Sequence, residues 1–349
     1  MDRSFANTYY VCFPPHWKKE PLAWNPFEPC PDPKLYARTT YLGGVFRAME
    51  RHLDHAGLTF YLTPDLHTLP TYGDRVIAVV QEDESARIPA YVDKVGATFK
   101  CYGARPVRPP GLLARPAYQN LLAHSQYLRN VVRHLPGRLR YARQRRRRRG
   151  ALSPIYPIPL GYANQHTLPV KPIDERAVDV FFAGSVTHKP YPAWSPKRWL
   201  GTPKDLARRQ MLAGLDEATQ RLPDLTVDLR LQPNFRDSIN ASAAAYSEGL
   251  MNARICLAPR GASLETFRFF EAMRYGCITL CEDLPPHWFY EDAPAIQITH
   301  WRALPAILAS LLNDPDRLRA RHEATLAWWQ TRCSETAVGR YFAEKLNAL

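Results

Sequence analysis

Residues 254 to 283 of this 349-residue chain read RICLAPRGASLETFRFFEAMRYGCITLCED. The apolar run ending at Ala258 is expected to be a strand, and Glu265 to Tyr275 a helix closed by Gly276. Between them the loop Pro259-Arg260-Gly261-Ala262-Ser263 leads to a first turn that holds Thr266. A helix N-terminus presents unpaired N–H groups and partial positive charge, so the junction is a ready anion site. Arg260 and Arg268 add full charges and forked donors suited to phosphate. Glu271, farther along the same helix, has the chemistry to accept hydrogen bonds from two adjacent sugar hydroxyls. The set describes a nucleotide-sugar site, with diphosphate at the helix start and ribose against the glutamate. On residue types alone, Glu271 reads equally as a helix-face carboxylate paired with Arg268 or Arg274.

A second strand, Val178 to Ala183, runs into Gly184, Ser185 and Lys189, which add backbone N–H groups and a cation near the same crevice, with His188 beside them. No P-loop or GxGxxG fingerprint is present. Asp314-Pro315-Asp316 has the spacing of a metal-binding acidic pair but reads better as a turn followed by a helix N-cap. Neither a metal nor a cofactor is therefore expected. Activating a substrate hydroxyl would need a general base. The candidates are Glu82, Asp83 and Glu84, a burst of carboxylates after the apolar run Arg75 to Val80, with His67 and His16 behind them. In open α/β sheets the ends of strands are where ligands bind.

The quoted segment resembles exostosin-type glycosyltransferases, family 47. That family reads "S-K-F-C-L-x-P-x-G" and then "S-x-R-x-x-E-A-x-x-x-G-C-x-P-V". The chain has Ala253 to Gly261, then Thr266-Phe267-Arg268-Phe269-Phe270-Glu271-Ala272 and Gly276-Cys277-Ile278-Thr279-Leu280. Thr266 stands for the family's Ser and Thr279 for its Pro. Upstream, Phe181-Phe182-Ala183-Gly184 with Arg208-Arg209-x-x-Leu212 is similar to the family's "F-F-x-G…R-x-x-L". The resemblance covers about 178 to 300. It implies a GT-B fold of two facing, doubly wound α/β domains, with the donor in the C-terminal one. It also implies inverting, metal-independent transfer from a nucleoside-diphosphate sugar, UDP above all, to a glycan or lipid-linked acceptor. Bacterial fucosyltransferases share the layout more distantly, but expect Glu-Asn where this chain has Pro259-Arg260.

Charge adds a second theme. Lys and Arg number 46 and Asp and Glu 33, a net of +13. The 80 residues from Lys94 to Ile173 contain 16 basic residues and no acidic one. Elsewhere 30 basic residues face 33 acidic ones, a net of −3, so a single region is basic. Its densest part runs from Arg138 to Arg149 and ends in five consecutive arginines. Such a cluster seeks phosphate, and an anionic membrane surface is the expected partner. Tyr141 is its only aromatic and no nucleic-acid-binding motif accompanies it, so no specific nucleic acid is expected. The bland alternative is a solvated arm. Two further readings of the chain are a glycosyltransferase acting on a soluble acceptor and a non-catalytic polyanion-binding protein.

The elements that must position these residues follow from periodicity. Residues 1 to 40, rich in Pro and aromatics, are expected to be irregular, and Leu42 to His55 helical. Residues 119 to 135 form a helix with Leu121, Leu128, Val132 and Leu135 on one face, broken by Pro136-Gly137. From 178 onward strands and helices alternate, which predicts a parallel sheet. The expected division is an acceptor-side domain over 1–160 carrying the basic arm 138–149 and a linker over 161–176. A donor domain over 177–330 follows, then a C-terminal helix over 331–349 that packs back on the first domain. Seven scattered cysteines, an odd number, without a membrane span or an N-terminal signal, point to a cytoplasmic protein peripheral to the inner membrane face.

Overall fold

Strands that read as continuous apolar runs become interior strands of two sheets. The computed structural model describes residues 6–111, 117–147, 153–164, 166–185, 192, 194–195, 199–232 and 243–349. The first sheet contains β1 (Thr8–Val11), β2 (Leu22–Ala23), β3 (Thr59–Thr63), β4 (Gly73–Val80), β5 (Val95–Lys100) and β6 (Ile155–Pro157). Their order is β2–β1–β3–β4–β5–β6, with only β2 antiparallel. The second sheet is parallel throughout and has the order β11–β10–β9–β7–β8. Its strands are β7 (Val178–Ser185), β8 (Val227–Gln232), β9 (Ala253–Ala258), β10 (Ile278–Cys281) and β11 (Ile296–Gln297). Two largely parallel α/β sheets are the architecture the GT-B expectation requires. Parallel strands are covered on both faces, which is why β7 and β9 are almost wholly buried.

The helices are α1 (Tyr36–Met49), α2 (Ala117–Arg147), α3 (Pro203–Arg221), α4 (Ala243–Asn252), α5 (Phe267–Arg274), α6 (Leu304–Leu312), α7 (Pro315–Trp328) and α8 (Glu335–Asn347). In the second sheet β8 lies on one side of β7 and β9 on the other. The crevice outside the carboxyl ends of β7 and β9 is therefore the switch point where such sheets bind ligands.

Two expectations are corrected. The first 40 residues are not irregular throughout: Thr8–Val11 pairs in parallel with β3, its Tyr9 and Val11 buried in the core. Nor does the helix end at Pro136. α2 runs through it to Arg147. Proline removes one N–H and strains a single turn, but it does not stop a helix that packing holds on both sides. Gly137 lies so close to Ile88 that a Cβ there would stand 3.1 Å from it.

The C-terminal helix α8 lies on α1. Phe342 stacks on Phe99 with ring centroids 3.7 Å apart, and the Tyr41 hydroxyl donates to the Cys333 carbonyl at 2.6 Å. One apolar core thus runs from the first sheet through α8 to Phe269, Phe270 and Met273 of α5.

Candidate donor and acceptor site

Three cations converge where β7 ends. The segment Thr202-Pro203-Lys204-Asp205 starts α3 with a capping box. The Thr202 hydroxyl accepts the Asp205 N–H at 3.2 Å and the Asp205 carboxylate accepts the Thr202 N–H at 3.1 Å. That cap fixes the first turn of α3 over the end of β7. Lys204 donates to the Ser185 hydroxyl at 3.4 Å. Arg208, one turn on, donates to the same hydroxyl at 3.4 Å and to the Ser185 carbonyl. From α5, Arg268 reaches across β7, donates to the Ala183 carbonyl and stacks 4.5 Å from the Phe182 ring centre. Gly184 makes that crossing feasible: any Cβ there would collide with the guanidinium.

The cations are uncomfortable together. Burial, and then Arg208 and Arg268, push Lys204 down to about 8 against the pull of Asp205 and Glu84. Arg208 is likewise lowered, by burial first and by Arg268 second. No carboxylate forms an ion pair with Lys204, Arg208 or Arg268 among the described residues. The Nε atoms of Arg208 and Arg268 are buried without a hydrogen-bond partner there. With the N-terminal ends of α3 and α5 nearby, the arrangement calls for a multiply charged anion.

The carboxylates expected to supply a base separate cleanly. Glu82 is exposed, has a left-handed backbone (φ 68°) and pairs with Arg38 at 2.5 Å. Asp83 is buried and pairs with the fully buried Lys100 at 3.0 Å and with Arg87 at 3.0 Å. Burial alone would raise Asp83, but Lys100 and Arg87 outweigh it and hold the carboxyl below its usual range. It is a structural anion, and the base role expected of it is corrected. His67 is exposed in the loop after β3 and His16 in the short 3-10 turn Pro15–Trp17 after β1, both outside the lining of the crevice. Glu84 alone lines the cavity between the two sheets, with Tyr102, Gln126, Arg260, Glu265 and Asp283. Its side chain is exposed by area, yet the surrounding walls make burial the leading influence and push its carboxyl up, against Lys204, Arg129 and Arg260.

Arg260 spans the crevice rather than standing open in it. Its backbone N–H donates to Glu282 at 2.8 Å and its Nη2 to Gln126 of α2 at 2.8 Å. Gln126 in turn donates to the Ala262 carbonyl, next to Gly261. Thr266 caps α5, accepting the Phe269 N–H at 3.4 Å. Lys189 and His188 lie outside the described residues.

Glu271 has protein partners. It is buried, and its carboxylate accepts the N–H groups of Ala163 and Asn164 at 3.1 and 3.3 Å and the Tyr246 hydroxyl at 2.8 Å. Burial pushes it above the usual carboxylate range, and these three donors pull back. A carboxylate has about four acceptor positions, and three of them are taken here by the segment joining the two sheets and by Tyr246.

Lys204 and Arg208 were not singled out as site residues by sequence. The available signal was the Thr-Pro-Lys-Asp capping box after a buried strand, with a second cation one turn later. Among the described residues no group of three or more His, Cys, Asp and Glu could hold a metal.

Sequence comparison with known proteins touches one part of the chain. Over 90 residues it is 32% identical to Exostosin-1 of Bos taurus. The same identity over the same length relates it to Exostosin-1a of Danio rerio. That stretch is 25% of this chain and only 11% and 12% of those proteins, so the match spans about a tenth of their length. No family model matches the chain. Among solved structures it is similar to the pneumococcal O-GlcNAc transferase GtfA in complex with UDP and GlcNAc. The TM-score is 0.43 and the identity 11%, over 79% of this chain and 57% of that one. It is also similar to AviGT4, a glycosyltransferase involved in avilamycin A biosynthesis, with a TM-score of 0.33 and 14% identity over 90% and 88% of the two chains.

Proposed function

We propose that this chain is an inverting glycosyltransferase that moves a sugar from a nucleoside-diphosphate donor, UDP-linked, to the hydroxyl of a glycan or lipid-linked acceptor without a metal. The observation that carries the reading is the cluster of Lys204, Arg208 and Arg268 at the β7–β9 switch point, three cations without a carboxylate partner among the described residues. The diphosphate sits among them. As the anomeric C–O bond breaks, negative charge grows on the β-phosphate, and preformed cations and helix ends meet it without reorganising. Glu84, facing them from the first sheet, takes the proton of the attacking hydroxyl. The acceptor oxygen bonds to the anomeric carbon from the face opposite the leaving nucleotide, which inverts the configuration. A carboxyl raised by its surroundings suits a base working near neutral pH. Seven unpaired, buried cysteines agree with a cytoplasmic location.

Calorimetric titration of UDP into the whole chain tests the site. Lys204→Gln should weaken UDP binding roughly 10- to 100-fold, the value of a charge-assisted hydrogen bond. Equal affinity of the two proteins would overturn the diphosphate assignment.

A further inference from the structure

α2 turns most of its large apolar residues away from the protein. A surface helix of a globular protein turns its apolar stripe to the core. Here the inward side carries Gln119, Asn120, Leu122, Ala123, His134 and Gly137, with His134 bonded to the Ala86 carbonyl at 3.0 Å. The apolar stripe faces outward: Leu121, Leu128 and Val132 are 64%, 63% and 61% exposed, and Leu135 and Leu139 are exposed as well. At 100° per residue these five positions fall within about 60° of one another, in a line about 27 Å long. Exposed arginines, among them Arg133, Arg138, Arg140, Arg143 and Arg146, flank the stripe and continue past it. At its other end Tyr118 donates to the Leu200 carbonyl, which sets the exposed Trp199 beside the start of the helix.

We propose that this face of α2 is a membrane-surface anchor that lies in the plane of an anionic bilayer. The leucines and Val132 enter the acyl boundary and the arginines meet lipid phosphates. Charge selects the occupant. The spacing would also suit a second copy of the helix, but with 16 basic and no acidic residues from 94 to 173 two copies would set arginines against arginines. Nucleic acid would take the arginines but gives the apolar line nothing to do. Among the described residues no helix is long and apolar enough to cross a membrane, so this one lies on the surface rather than spanning it. The opposite side of α2 carries Gln126, bonded to Arg260, so docking would hold the crevice about one helix diameter, roughly 10 Å, from the lipid surface. The anchor stands independently of the transfer chemistry, since vesicle binding needs neither nucleotide nor acceptor.

The test is sedimentation of the whole chain with phosphatidylcholine vesicles, with and without about a third phosphatidylserine. The wild type should partition only to the anionic vesicles, and less so as salt rises. The triple variant Leu128→Gln, Val132→Gln, Leu135→Gln keeps every charge and good helix formers. It should lose at least about 10-fold in partition with thermal unfolding unchanged. Undiminished partition of that variant would overturn the proposal. So would a dimer in light scattering that the variant converts to monomer, which would give the face to a second copy.

Discussion

Arg268 occupies the space that a side chain on Gly184 would need. The guanidinium crosses the strand at that residue to reach the Ala183 carbonyl and the Phe182 ring, and the backbone of Gly184 (φ 156°) is one that favours glycine. The third cation of the cluster is thus positioned by the absence of a Cβ on the neighbouring strand. Gly184→Ala should displace Arg268 and weaken UDP binding about as much as Arg268→Ala does, roughly 10-fold or more. Calorimetry on the two single variants and the double variant checks the coupling: if both act through the same guanidinium, the double variant is no worse than either single one.

Glu84 and Asp83 are adjacent in sequence, but Glu84 lines the crevice and Asp83 is buried against Lys100. Glu84→Gln should lower turnover roughly 10²–10⁴-fold with UDP affinity near wild type. In the proposed role Glu84 works only when ionised, and its carboxyl is raised. The acid limb of the kcat profile should therefore lie above the range of an ordinary glutamate and disappear in the variant. Asp83→Ala should instead destabilise the fold by about 3–5 kcal/mol, because it strands the Lys100 ammonium in the interior. Near-normal turnover of Glu84→Gln would move the base elsewhere.

These contrasts show what the sequence could carry. The strand–loop–helix from Ala253 to Arg274 was legible because its signals are local: an apolar run, a loop with glycine, and a threonine cap. The alternation of the second half specified its parallel sheet for the same reason. The protein partners of Glu271 were not legible because Ala163 and Asn164 lie more than 100 positions away. Glu84 could not be told from Glu82 and Asp83, because a turn and not a strand sets their directions, with Glu82 at positive φ. The face of α2 was legible as a pattern, but which side meets the protein depends on Gly137 seating against Ile88.

At the proposed nucleotide site Lys204 sets a pH signature. Its ammonium is pushed down to about 8, chiefly by burial. A bound diphosphate favours the charged form and raises that value again. Binding should then take up a proton near pH 8, and UDP affinity should fall as pH rises through that region. Calorimetry in buffers of different ionisation enthalpy reads the proton uptake directly. Lys204→Gln should abolish it. Uptake that persists unchanged in the variant would assign the proton to another group.

Glu271 decides between binding and architecture. Its carboxylate joins α5 to the segment between the sheets through Ala163 and Asn164, and to α4 through Tyr246. Glu271→Ala leaves three donors without an acceptor in a buried place. Each unsatisfied group costs about 1–3 kcal/mol, with partial relief as water enters, so a loss of about 3–5 kcal/mol is expected. Glu271→Gln keeps an oxygen to accept from the backbone, but its amide N–H₂ must then face the remaining donors. It should fall between alanine and wild type. If the ribose hydroxyls were the partners, UDP affinity would drop roughly 10- to 100-fold in a folded Glu271→Ala protein. With protein donors occupying the carboxylate, UDP affinity measured below the variant's unfolding temperature should stay within a few-fold of wild type, while the unfolding temperature falls. The two measurements together separate the roles, because a ribose ligand on the protein surface would show the reverse: lost nucleotide binding and nearly unchanged unfolding.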